Sequence, residues 1–287
     1  MRSLRLISIL ALLASLPLSA QTTLTPSQQH EVSKFMGKLI TSVVNPFFDL
    51  ILEPTISGEP YTAYRFKSEQ KHLQDGTTIS EHGRRHFIAR DSEGRTRAEH
   101  NPIDGSSVKF VYIKDPIAGT LTYWVEDGKN TKGDKDAIQI KFTDLYKNSK
   151  KPPTNPPPPA PPKPGKNSTV EQLGEQAFNG VFAKGVRTIT VIPSGEVGND
   201  RPISIGKDVW TVTDLQVIVR EVYTDPRSGT TIHELQDLSR EDPPITMFQP
   251  PPGYTVKTNE QLMKEMKDKM AAAAAKPAAA PAAPPED

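Results

Sequence analysis

The 287-residue chain contains no cysteine. No disulfide can brace it, and no thiolate can attack a substrate or hold a metal, so stability must come from a packed core. A lipoprotein anchor is excluded for the same reason, because it needs a lipidated cysteine behind the leader. Charge of one sign is also missing. The formal net charge is +1, and about −1 once Arg2 and Arg5 are set aside. That balance gives no reason to expect nucleic-acid or anionic-membrane binding. Past residue 20, no apolar run approaches the roughly 18 residues of a spanning helix. The chain has no Gly-x-Ser-x-Gly elbow and no glycine-rich phosphate loop. No catalytic constellation stands out, so the expectation is a protein that is not an enzyme and needs no cofactor.

What is present begins with an address. Arg2 and Arg5 precede a mostly apolar stretch, Leu4 to Leu18, which ends in Ser19-Ala20. This reads as a secretory signal over residues 1–20, processed after Ala20, and places the mature chain in the periplasm or outside the cell. The spacing then predicts an amphipathic helix over 25–45. Thr25 caps it, Pro26 suits its first position and Gln28 completes a capping box. Val32, Phe35, Met36, Leu39, Ile40 and Val43 share one face, which would pack on a sheet. Glu31, Lys34 and Lys38 on the polar face are too few cations for a membrane-surface helix.

From Tyr61 the period changes to strands joined by tight turns. Expected strands are 61–73, 77–89, 95–100, 108–114 and 120–126, with one more possible over 137–146. Asp91-Ser92-Glu93-Gly94 and Asp115-Pro116-Ile117-Ala118-Gly119 are turns in which Asp caps, Pro fixes φ and Gly takes positive φ. The polar loop 128–136 misses the spacing of a calcium loop. Strands resume at 171–178 and 181–192 around Asn179-Gly180, then at 209–213, 215–224 and 230–238. Residues 241–256 read as irregular. Such hairpins make an antiparallel sheet. The expected domain is therefore antiparallel β over 57–257, interrupted by a proline-rich insertion at 150–168. Nine of the thirteen residues from Pro152 to Pro164 are proline, which predicts polyproline II, about 40 Å long if extended. It reads as a disordered spacer or a docking segment. Residues 258–287 read as a short helix and a disordered Ala/Pro tail.

His82, Arg84 and His86 would share one face of a regular strand, but Arg84 between them would repel a metal cation, and no metal site is expected. His233-Glu234 lacks the second histidine of a zinc helix. The central strands carry the stronger signal. Val108, Phe110 and Tyr112 oppose Val111 and Ile113; Leu121, Tyr123 and Val125 oppose Trp124; Leu215, Val217 and Val219 oppose Ile218 and Val222. A sheet apolar on both faces must be covered twice. Either both sides are filled cores, or one side curls around a ligand. In the second case the lining candidates are Phe110, Tyr112, Tyr123, Trp124, Trp210, Val217 and Val219.

Asp91-Ser92-Glu93-Gly94-Arg95-Thr96-Arg97 followed by Asp115-Pro116-x-x-Gly119 resembles a family of secreted acidobacterial proteins without assigned activity. So do Gln172-Leu173-Gly174 with Gly180, Gly185-x-Arg187-Thr188, and Ile192-Pro193-x-Gly195-x-x-Gly198-Asn199-Asp200-Arg201-Pro202-Ile203. Trp210, Leu215-Gln216-Val217 and Phe248-Gln249-x-Pro251-x-Gly253-Tyr254 complete the pattern, which runs from about Tyr61 to Val256 across the proline segment. The order of elements is more distantly similar to the LolA/LolB lipoprotein-carrier superfamily. That resemblance implies a curved half-barrel with an apolar cavity for acyl chains. The expected function is binding of an apolar or lipid-like ligand. The alternative is a structural or protein-interaction component of the envelope with a filled core.

Overall fold

The computed structural model describes residues 53–73, 75–83, 85–101, 108–127, 135–145, 151, 153–160, 162–261 and 264. The leader, the helix over 25–45, most of the loop at 128–136 and the Ala/Pro tail lie outside the described residues. The chain divides into two units, Met1–Pro46 and Phe47–Asp287, and the described residues belong to the second.

That unit is mainly β, a large, open, curved sheet of thirteen strands. Its first half holds β1 (Tyr61–His72), β2 (Thr78–His82), β3 (His86–Arg90), β4 (Thr96–His100), β5 (Val108–Asp115), β6 (Thr120–Asp127) and β7 (Asp136–Lys141). Its second half holds β8 (Ser168–Phe178), β9 (Val181–Ile192), β10 (Ile203–Val212), β11 (Val217–Asp225) and β12 (Gly229–Ser239). A short β13 (Thr255–Thr258) comes last. The order across the sheet is β13-β7-β6-β5-β4-β3-β1-β12-β11-β10-β9-β8, with β2 beside the far end of β1. Each half is a meander, and β1 and β12 join them. Among the described strands every pairing is antiparallel except β7 with β13, which is parallel.

Turn chemistry explains the meander. Asp115 Oδ1 accepts the N–H groups of Ile117 and Ala118, each at 2.9 Å, and Gly119 leaves the turn at φ +66°. Asp225 Oδ1 accepts the Arg227 N–H at 2.9 Å, and Gly229 leaves at φ +99°. Asn179 and Gly180, at φ +47° and +82°, form a two-residue hairpin turn between β8 and β9.

Three local readings need correction. The strand expected over 77–89 is two strands, because the register against β1 slips by one residue after Gly83, whose N–H still continues the β2 ladder to the Lys67 carbonyl at 2.8 Å. His82 therefore pairs with Ser68 and His86 with Arg65, positions that lie on opposite faces of β1. The two histidines do not share a face. The strand over 137–146 stops at Lys141 and gives way to a helical turn, α1 (Phe142–Leu145). The irregular stretch 241–256 contains a 3₁₀ turn (Ile245–Phe248) and the start of β13.

Both faces of β5 and β6 carry buried apolar side chains, as their alternation indicates: Val111, Ile113 and Trp124 on one, Tyr112 and Leu121 on the other. Val111 pairs with Trp124, and both join Ala89, Ile113, Ala137 and Phe248 in one cluster. Met247, Phe248 and Tyr254 lie over this face. Arg97 fixes that cover by donating from Nη1 to the Met247 carbonyl at 2.8 Å, and the Tyr254 hydroxyl donates to the Val125 carbonyl at 3.0 Å. A second cluster gathers Ala63 and Ile88 with Val181, Ala183, Val212, Leu215, Val219 and Leu235.

Buried Arg90 holds the two halves together. Its Nε and Nη2 donate to the Glu59 carbonyl at 2.9 and 2.8 Å, and Nη2 also donates to the Leu215 carbonyl at 2.7 Å. The run from β7 to β8 must pass from one side of the sheet to the other, and it is pinned on the way. The Thr55 N–H donates to the Pro153 carbonyl at 3.1 Å, and the Asn155 N–H donates to the Thr55 carbonyl at 2.7 Å. Gln216 Nε2 donates to the Pro156 carbonyl at 3.0 Å. Gly94 makes room for the Thr55 segment, since a Cβ there would sit 2.9 Å from Thr55 Cγ2. No helix among the described residues is long and apolar enough to cross a membrane.

Candidate ligand-binding groove

Two β-bulges bend the second half of the sheet, one in β11 and one in β12 where it meets β1. Val219 is the extra residue between the pairs Trp210–Arg220 and Thr211–Ile218. In β12 an extra residue falls between Gln236 and Ser239, and Asp237 there takes φ +51°. The bend lets the β8–β9 turn reach β12, where Asn179 Nδ2 donates to the Leu235 carbonyl at 2.7 Å. Between turn and strand lies a groove of about 470 Å³. Its size falls in the range of about 300–1,000 Å³ common for small-molecule sites.

The groove is lined by Ala177, Phe178, Asn179, Val219, Glu234, Leu235, Gln236 and Asp237. Val219 and Leu235 are buried members of the second cluster, and Phe178 packs against it. Phe178 lies against Trp210 with ring centroids 5.3 Å apart. Trp210 is seated by a missing side chain, since a Cβ on Gly185 would lie 2.6 Å from its ring. Gly185→Ala is thus expected to push the indole out, cost about 1–3 kcal/mol and shift tryptophan emission, as a urea titration read by fluorescence would show. The carboxylates at the rim have partners: Glu234 meets Arg220 at 2.7 Å, and Asp237 meets Arg85. The carboxamides of Asn179 and Gln236 complete the polar side. The surface the groove presents is mostly polar: the Asn179 and Gln236 carboxamides and the paired carboxylates form it, with Val219 and Leu235 buried beneath.

The seven residues singled out from the sequence fall in three places. Trp210, Val217 and Val219 belong to the cluster at the groove, and Val219 lines it. Trp124 lies in the other cluster, buried, with its Nε1 donating to Glu126 at 2.9 Å. Tyr112 and Tyr123 pair across β5 and β6 on the reverse face, ring centroids 6.3 Å apart, and burial raises both phenols. Phe110 pairs with His100 on that same face. Phe178, Asn179, Leu235, Gln236 and Asp237 were not anticipated as lining. The Asn179-Gly180 turn was the one local signal for them. Gly198-Asn199-Asp200 is a self-contained loop, where Asn199 Nδ2 donates to the carbonyls of Pro193 and Arg201 at 2.8 and 2.7 Å.

Among the described residues no group of three His, Asp or Glu could hold a metal ion. His86 and His100 stack with centroids 4.8 Å apart. Burial, and then the neighbouring His86, lowers His100 from 6.5 to about 4. The folded chain therefore keeps His100 neutral where the unfolded chain binds a proton. Stability should fall as pH drops from about 6.5 toward 4. Partial exposure limits this to about 1–2 kcal/mol. His100→Gln should remove that share of the loss, measured as urea midpoints at pH 7 and pH 4.5.

No family model matches the chain and no curated protein matches it, so the acidobacterial resemblance remains one of motifs. Among solved structures the chain is similar to MucB, with TM-score 0.34 and 10% identity over 72% of this chain and 62% of that one. It is also similar to the MucA/MucB complex of Pseudomonas aeruginosa, with TM-score 0.32 and 12% identity over 66% and 55%. A third is the Mycobacterium tuberculosis lipoprotein LppX, with TM-score 0.29 and 9% identity over 74% and 98%. The chain thus spans less than two thirds of the MucB chains, and at these identities no side chain is carried over from any of the three.

Proposed function

We propose that this chain is a non-enzymatic extracytoplasmic protein that binds an apolar or lipid-like molecule at the bend of its curved sheet. The observation that carries this is the groove between the β8–β9 turn and β12, which lies over the apolar cluster of Phe178, Val219 and Leu235. The leader read in residues 1–20 supports the location.

Filling the groove from its rim tests this. Gln236→Trp should abolish uptake of cis-parinaric acid with little change in thermal midpoint. Val125→Trp, at an exposed position in β6, should leave uptake intact. Equal uptake in both variants would remove the groove from consideration.

A second reading has its own support. Tyr112, Trp124 and Val219 are buried, and Met247, Phe248 and Tyr254 lie over the Trp124 face. Such a filled interior suits a structural or interaction component of the envelope. Absence of uptake at any lipid concentration by the wild-type chain would favour it.

A further inference from the structure

The strongest unassigned feature is the proline segment between β7 and β8. We propose that its exposed part, 157–160 with 162–166, is a recognition ridge for a partner protein with an acidic, aromatic-lined groove. Three observations converge on this.

The first is anchoring. The pairing of Thr55 with Thr154 fixes where the run starts. Ser57 N–H donates to Asn155 Oδ1 at 2.8 Å, and Asn155 Nδ2 donates to Ser57 Oγ at 2.7 Å. Gln216 then holds the Pro156 carbonyl at 3.0 Å. Pro156 is half-buried, whereas 157–160 and 162–166 are exposed. The second is stiffness. Proline fixes its own φ, and each residue before a proline is pushed to extended ψ, so Pro156-Pro157-Pro158-Pro159 has little choice but polyproline II. A stiff ridge tethered at its root gives up little conformational freedom on binding. Aromatic-lined grooves read this conformation.

The third is charge. Between Asp144 and Glu171 the chain has five lysines, Lys147, Lys150, Lys151, Lys163 and Lys166, and no Asp or Glu, although the whole chain is nearly neutral. Lys163, between Pro162 and Pro164, and Lys166, just beyond the prolines, stand exposed. A spacer has no need of one-sided charge. An acidic rim on a partner does, since such complementarity sets encounter rate and register. This ridge is separate from the groove at β12 and does not depend on its ligand.

The test is photo-cross-linking of the full chain in its own envelope, with benzoylphenylalanine at Ala160. One discrete protein adduct is expected, its attachment mapping to a surface of Trp or Tyr side chains beside Asp or Glu. Its yield should fall at least tenfold in the triple variant Pro157→Ala, Pro158→Ala, Pro159→Ala. It should fall as far in Lys163→Glu, Lys166→Glu, which touches no anchor and so keeps the test valid if the proline variant folds poorly. Parinaric acid uptake should be unchanged in the charge variant. No adduct, an adduct to lipid or to a second copy of the chain, or full yield in the charge variant would overturn the proposal.

Discussion

Gly229→Ala is expected to prevent folding or to cost more than about 4 kcal/mol, well outside the usual range for a single substitution. Gly229 ends the Asp225 turn at φ +99°, where an L side chain is already strained, and the position is walled by β1. A Cβ there would lie 2.1 Å from the Gln70 carbonyl oxygen and 3.0 Å from Lys71 Cα. Both are backbone atoms of a paired strand, so relief requires parting β1 from β12, the pairing that joins the two halves of the sheet. The other Asp-Pro-x-x-Gly turn provides the control. Gly119 has φ +66° and nothing within 4 Å of its Cβ position. Gly119→Ala should therefore cost only the conformational share, about 1–2 kcal/mol. Urea midpoints of the two variants, or soluble yield if Gly229→Ala fails to fold, separate the two sources of cost. Equal losses would mean that the wall at β1 does not bear on the turn.

Arg90→Met is expected to cost about 3–5 kcal/mol. Its side chain is buried, and its guanidinium satisfies the carbonyls of both Glu59 and Leu215 while lying 4.9 Å from the Tyr61 ring. Methionine fills similar volume but leaves two carbonyls without their donor, at about 1–3 kcal/mol each. Arg90→Lys should recover less than half of the loss, since one ammonium on a flexible stem does not reproduce the planar fork. The loss should also loosen the β10–β11 turn, because Leu215 sits in it. Hydrogen exchange at Leu215–Val217 should rise more than exchange in β5 and β6. Uniform destabilisation would contradict a role in joining the halves.

How much of the fold was legible depended on the range of the interaction that decided each part. The two Asp-Pro-x-x-Gly turns and Asn179-Gly180 are settled within four residues, and β9 runs over Val181–Ile192 as its pattern indicates. The two-faced character of β5 and β6 followed from alternation alone. The break between His82 and His86 was not legible, because it is a one-residue slip of register against β1. Nor was the parallel seat of β13 on β7, since Val256 meets Ala137 across more than a hundred residues. The groove was the least legible feature. Its bends come from Val219 and Asp237, which carry no turn signature, and its closure from Asn179 reaching Leu235, 56 residues on. Several motif residues proved to be builders of the fold: Gly94 clears a path for Thr55, Gly185 seats Trp210, and Arg97 holds the Met247 carbonyl.

Native mass spectrometry of the chain from Gln21 onward, purified from its own envelope fraction, tests the binding of a lipid-like ligand most directly. Extra mass is expected that solvent extraction removes, that added fatty acid or phospholipid restores, and that Gln236→Trp fails to retain. Bare polypeptide mass, with no uptake of either lipid, would contradict a ligand-binding role for the groove.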